Sequence, residues 1–178
     1  MHQNICAVAA VAPFNSGYTL FVEKGEQYAG ALKDSLITGF PKEFLDAYQT
    51  LLFQDYTKLD AVKGINSTRI PVLIAHGNRD LVIGFYHQSV ISHRDEIRQD
   101  NVTYYVGTGA QAGHNTILHS ERAVAYQKQI DAQLKQIKKE FDRDLTKEEQ
   151  EEFCKHIDHT LYSEVNEELM QAVLQTFQ

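Results

Sequence analysis

The sequence predicts an α/β protein with about three parallel strands, flanking helices and a helical C-terminal tail. Three short apolar runs carry that expectation, together with the helical periodicity between and after them and the absence of any internal repeat. The first run is residues 5–12, from Ile5 to Ala12, continuous and closed by Pro13, Asn15, Ser16 and Gly17. A short apolar run ended by turn residues fits a strand buried on both faces. The second is residues 70–77, whose Pro71 stands at the start, where a strand tolerates it. The third, residues 101–107, is rich in β-branched and aromatic side chains.

The helical segments follow by spacing. Pro41 opens a stretch with Phe44, Leu45, Tyr48, Leu51 and Leu52 at helical intervals, and proline suits a first helical turn. Residues 86–98 read more weakly as a helix between the second and third strands. From Ser120, the set Ala123, Tyr126, Ile130, Leu134, Ile137 and Phe141 steps by three and four, which predicts a long amphipathic helix. Thr146 and Glu149 fit a capping box at the head of the tail. Phe153, Ile157 and Leu161 form one stripe, and Ser163 is placed to cap a last helix bearing Val165, Leu169, Val173 and Phe177. Strands alternating with helices imply parallel pairing and right-handed crossovers. The stretch 15–68 is too long for a plain crossover. Its aromatics Tyr18, Phe21, Tyr28, Phe40, Phe44, Phe53 and Tyr56 predict a helical excursion over one end of the sheet.

Composition narrows the function classes. At 178 residues the length fits one domain with a small appendage. A 43% hydrophobic share excludes a mainly disordered chain. A net charge of −7 argues against a nucleic-acid surface, and the basic residues at 135–139 share their helix with acids. No apolar run approaches the ~18 residues a membrane span needs. The opening residues lack the basic flank of a signal peptide. Cys6 and Cys154 are isolated from each other and read as free, buried thiols in a reducing compartment, hence a cytoplasmic location.

Two loops hold the residues suited to chemistry. The second run ends in His76, Gly77, Asn78, Arg79 and Asp80, and functional groups gather beyond the carboxyl ends of strands in open α/β sheets. The third leads through a glycine-rich turn to His114. Both loops open on one edge of the sheet if the strands are adjacent and parallel. An aspartate accepting from imidazole Nδ1 fixes the tautomer and stabilises the imidazolium formed in general-base catalysis. By itself Asp80 serves equally well as a turn former, and a lone histidine as a surface group. His156 and His159 lack the third ligand a zinc site needs, so no metal and no cofactor is expected.

The stretch from Pro71 to Asp80 resembles the acid-bearing turn of α/β-hydrolases, and Ala112, Gly113, His114 and Asn115 resemble their histidine loop. The segment 7–15 resembles the strand before their cap, and 15–68 stands where the cap is inserted. The order of acid then histidine also agrees. The resemblance is to bacterial serine hydrolases of the esterase, lysophospholipase or acyl-peptidase-like kind. It covers roughly residues 4–140, and the tail resembles an extension found in a subset of them. It implies a partial α/β-hydrolase core over 1–141 with a cap insertion at about 15–68, followed by a helical extension at 142–178. It further implies Asp80 and His114 as retained triad members acting on an ester, thioester or amide, and a His76 that packs or bonds locally.

One departure is large. The family's Gly-x-Ser-x-Gly elbow is absent, since none of the seven serines has glycines at both flanking positions. The sequence therefore looks like the C-terminal half of such a fold, inactive by itself. Ser16 follows a strand, but Tyr18, Thr19 and Leu20 do not make an elbow turn. Phe14, Asn15 and Ser16 are expected to line the substrate cleft. The rival expectation is a non-catalytic remnant or a binding module that holds an apolar ligand in the cap cleft. The strand at 5–12 would expose one bare apolar edge, an open template for another chain, so self-association is expected.

Overall fold

Three strands pair in parallel in the order β1 (Val8–Val11), β2 (Val72–Gly77), β3 (Val102–Gly107). The structure is a computed structural model and describes residues 5–31 and 42–178. Register runs from Val8 opposite Val72 to Val11 opposite Ala75, and from Val72 opposite Val102 to Gly77 opposite Gly107. β2 is buried along its whole length. Its side chains alternate between two apolar layers, as the period of a strand requires. Val72 and Ile74 meet Val62, Val90 and Ile91 on one face; Leu73 and Ala75 meet Ile117 and Leu169 on the other.

The first strand departs from expectation. It is shorter than residues 5–12 and is not buried on both faces: Ile5 is 59% exposed and Cys6 is exposed. β1 has β2 on one side and no strand on the other among the described residues. An apolar run reports composition, and an edge position shares that composition with a central one. Cys154 is exposed as well, so neither thiol is buried.

Among the described residues the excursion between β1 and β2 is helical. It contains α1 (Gly17–Ala31), α2 (Lys42–Phe53), a 3₁₀ segment (Gln54–Lys58) and α3 (Ala61–Asn66). Phe40 and Pro41 lie outside the described residues. α1 and α2 are joined by a hydrogen bond from the Tyr18 hydroxyl to Asp46, which holds the phenol above its ordinary pKa, and by stacking of Phe21 on Tyr48 at 6.4 Å. Asp60 caps α3 by accepting from Lys63 N at 2.9 Å, and Val62 anchors that helix in the core.

Between β2 and β3 the expected helix at 86–98 is instead a set of turns and a 3₁₀ segment, Val90–Glu96. Ser89 Oγ donates to Phe85 O, and Ser92 Oγ lies within bonding reach of the carbonyls of His87 and Ser89. Serine side chains that bond nearby backbone carbonyls compete with α-helical pairing.

After β3, α4 (Glu121–Phe141) starts on the Ser120 cap. The tail then folds as three helices rather than two: α5 (Lys147–Lys155), α6 (His159–Tyr162) and α7 (Glu167–Thr176). The Thr146–Glu149 capping box is present, and Arg143 grips Glu149 with two bonds of 2.7 and 2.8 Å. The guanidinium holds the Glu149 carboxyl down at about 2. Ser163 does not cap the last helix. It ends α6, and Asn166 caps α7. Asn166 is 2% exposed: its Oδ1 accepts from Leu169 N at 3.2 Å, while Nδ2 is 2.9 Å from both Tyr105 Oη and Ile117 O. This one side chain fastens the tail to β3 and to the loop beyond it. Leu169 is fully buried on the sheet, whereas Val165 and Phe177 are about half exposed.

Candidate functional site

All three strands run the same way, so the loops after Val11, Gly77 and Gly107 leave one edge of the sheet. Two glycines let the second and third loops close on each other. A Cβ on Gly77 would stand 2.3 Å from Ala112 O, and one on Gly107 would stand 2.4 Å from Gln111 O. Backbone bonds then seal the approach, from Asn78 N to Gly107 O at 2.9 Å and from Arg79 N to Ala112 O at 2.8 Å. Gly77→Ala should force the histidine loop away and cost about 1–3 kcal/mol, as overpacking a tight site does. Thermal denaturation together with the loss of the Asp80–His114 contact checks this. An unchanged melting curve and contact would show that the loops tolerate the methyl group.

Asp80 is placed by its own turn. Its amide donates to Gly77 O at 3.1 Å, and its Oδ1 accepts from Val82 N at 2.7 Å and Ile83 N at 2.9 Å. That is the Asx-turn geometry aspartate favours. The turn uses one carboxylate oxygen and leaves the other. Oδ2 lies 2.8 Å from His114 Nδ1 and 3.3 Å from His76 Nε2. The Asp80 side chain is fully buried, and that of His114 is one-third exposed.

His114 sits on a short turn whose neighbours are fixed. Gly113 N donates to Thr116 Oγ1 at 2.9 Å, and the following 3₁₀ turn (Thr116–Leu118) drives Ile117 into the core against Leu73 and Ala75. Because a carboxylate oxygen only accepts, His114 Nδ1 carries the proton facing it. In the neutral ring that leaves Nε2 with the free lone pair. The pair therefore presents a base of fixed tautomer at the protein surface, with a buried carboxylate behind it.

The other residues singled out in the sequence are near the same edge but in different roles. Ala12 turns the chain out of β1 with φ of 49°. Asn15 is tied in place, its Oδ1 accepting from Val62 N at 2.9 Å and its amide donating to Gln88 O at 2.7 Å. Ser16 stands at the head of α1, with Oγ 3.5 Å from Thr19 N. Phe14 and Asn15 line a cavity of about 690 Å³ under α1 and α2, with Leu20, Phe21, Phe53 and Leu59; Ser16, Asp80 and His114 do not line it.

Comparison with known proteins identifies no relative. No family model matches the chain, no curated protein matches it, and no solved structure matches its fold. The site therefore rests on its own geometry. Among the described residues, no three histidine, cysteine or carboxylate side chains gather as a metal site, and no helix is long and apolar enough to cross a membrane. His76 bonds locally, and its partners, Asp80 and the Ile83 carbonyl, are what sequence reasoning did not name. The four-residue spacing in the sequence is compatible with such a contact, but only the bend of the turn after Gly77 creates it.

Proposed function

We propose that His114 is the general base, and then acid, and Asp80 its orienting carboxylate in a serine-hydrolase site of the α/β-hydrolase kind, acting on an ester, thioester or amide. The observation that carries this is the 2.8 Å contact from His114 Nδ1 to a buried Asp80 carboxylate at the carboxyl edge of a parallel sheet, with Nε2 left open. In that reading, His114 Nε2 takes the proton of a nucleophilic serine and returns it to the leaving group. Asp80 holds the ring and stabilises its charged form. No serine of this chain lies in a Gly-x-Ser-x-Gly sequence, so this reading takes the nucleophile from outside these residues. A fluorophosphonate probe tests this on the isolated chain and on the longest product of its gene. The expected result is an unlabelled chain and a longer product labelled at a serine, with labelling lost on His114→Ala. A longer product labelled equally well without His114 would remove the pair from the chemistry.

The cavity supports a second reading, a module that holds an apolar ligand. About 690 Å³ lined by Phe14, Leu20, Phe21, Phe53 and Leu59 is within the size range of small-molecule sites. A fluorescent fatty-acid probe should bind the chain, and Leu59→Asp should abolish binding with little effect on folding, since Leu59 is 63% exposed. Equal binding by the variant would place the ligand elsewhere.

We further propose that the chain self-associates through β1. Its outer backbone groups have no strand partner among the described residues, and neither lysine nor proline interrupts Val8–Val11. Sedimentation at micromolar concentration should show a dimer, reduced to monomer by Ala9→Pro. A monomer of 20.3 kDa at all concentrations would show that the edge is silent.

A further inference from the structure

Asp80 serves two histidines, and the second has no place in the proton transfer. His76 lies in β2 with its ring fully buried, one edge toward Phe85 at 5.8 Å and an interplanar angle of 79°. Its Nε2 is 2.9 Å from Ile83 O and 3.3 Å from Asp80 Oδ2. Both neighbours are acceptors, so Nε2 carries the proton and shares it between them. Its Nδ1 is buried without a partner. All the polar contact of this ring among the described residues is thus made at Nε2. An apolar ring would fill the same space beside Phe85 without leaving a buried nitrogen unsatisfied, so packing alone does not account for an imidazole here.

We infer that His76 is a positioning residue for the Asp80–His114 pair, and the inference rests on the reading of that pair as a general base and its orienting carboxylate. The turn 80–83 is held from inside by Asp80 Oδ1, which accepts from Val82 and Ile83. His76 holds the same turn from the strand side, through the Ile83 carbonyl. One N–H therefore ties the end of the turn to the rigid central strand and also faces the carboxylate oxygen that receives His114. With Oδ1 committed to two amides and Oδ2 flanked by His76 on one side, the remaining approach to Oδ2 is the one His114 uses. The carboxylate is kept from rotating, and the base it orients is kept with it.

Hydrogen exchange in the ¹⁵N-labelled chain tests this, because a donor role and a packing role predict different outcomes. The signals are the His114 Nδ1–H proton and the amides of Val82 and Ile83. In His76→Phe, which keeps the ring volume, all three should exchange roughly tenfold faster or more while the fold persists by circular dichroism. His76→Gln, whose amide nitrogen reaches close to the position of Nε2, should restore them. Should the phenylalanine variant fail to fold, His76→Asn decides, since its amide is too short to reach Ile83 O and should show the same acceleration. Exchange rates within about twofold of wild type in a folded Phe or Asn variant would overturn the role, and so would a folded Gln variant that fails to restore them. Asp80→Asn separates this from the pair itself. A wild-type chain with no protected His114 Nδ1–H would sink the pair. A signal lost in Asp80→Asn but untouched in His76→Phe would sink only the role of His76.

Discussion

On the proposed hydrolase reading, Asp80→Asn should leave the fold intact and lower kcat by about four orders of magnitude, or about 5.4 kcal/mol of transition-state stabilisation. The reason lies in how the two carboxylate oxygens are used. Oδ1 accepts from Val82 and Ile83 amides, so an asparagine places its own carbonyl oxygen there and keeps the turn. Its amide nitrogen then occupies the position of Oδ2, 2.8 Å from His114 Nδ1. Two donors cannot face each other, so Nδ1 gives up its proton and the ring changes tautomer. The proton moves to Nε2, where the base was needed. The rate effect is read in a protein that brings the nucleophilic serine, and the tautomer is read directly in this chain from imidazole ¹⁵N shifts. A rate loss below about tenfold would take Asp80 out of the mechanism. A wild-type tautomer in the variant would remove the physical reason for it.

Removing residues 166–178 should unfold the chain or drive it into aggregates at 37 °C. α7 covers one face of the sheet, with Leu169 fully buried against Leu73, Ala75 and Ile117 and with Met170 and Val173 packed beside it. Each such side chain, when fully buried, contributes about 1.5–3 kcal/mol. Leu169 reaches that full value and the partly buried Met170 and Val173 add a fraction each, a sizeable part of the ~5–15 kcal/mol that keeps an ordinary domain folded. The uncovered face would also expose Leu73 and Ala75. Leu169→Ala is the milder form of the same experiment. It should cost about 2.7–5 kcal/mol and lower the melting temperature by about 5–20 °C. Phe177→Ala is the matched control, because Phe177 is 53% exposed and should change stability little. A truncated chain that melts cooperatively within a few degrees of the intact one would show that the tail is an appendage after all.

Much of the local structure was legible because it is written in local chemistry. The Thr146–Glu149 box is a pair of short-range bonds between side chains and the adjoining turn, and it stands where the spacing put it; the long helix likewise starts just after Ser120. Pro71, Gly77 and Gly107 punctuate β2 and β3 within a residue or two of the expected ends. The proximity of Asp80 and His114 was legible for a different reason. Parallel neighbours joined by one crossover must open their loops on a common edge, so a carboxylate after one strand and an imidazole after the next are brought together by topology.

The rest was decided by contacts that no window of sequence contains. Residues 5–12 read as buried because they are apolar, yet Ile5 and Cys6 are exposed, since burial depends on whether a strand lies beside them. Ser163 had the chemistry of a cap, but Asn166 took the position, because its amide also lies within reach of Tyr105 and Ile117 and so gains contacts across 61 and 49 residues. The tail's last helix was legible as amphipathic, but which surface it would cover was not. Periodicity specifies that one stripe of α7 must be hidden, and only the assembled sheet, offering Leu73 and Ala75 on one face, specifies where. The sequence by itself determined the three strands, the Thr146–Glu149 box and a shared edge for Asp80 and His114, since these follow from neighbouring residues and from the rules of chain connection. The tertiary structure alone decided that Ile5 and Cys6 are exposed, that α7 closes the sheet and that His76 meets Asp80, because each depends on which surfaces remain free once the other elements have packed.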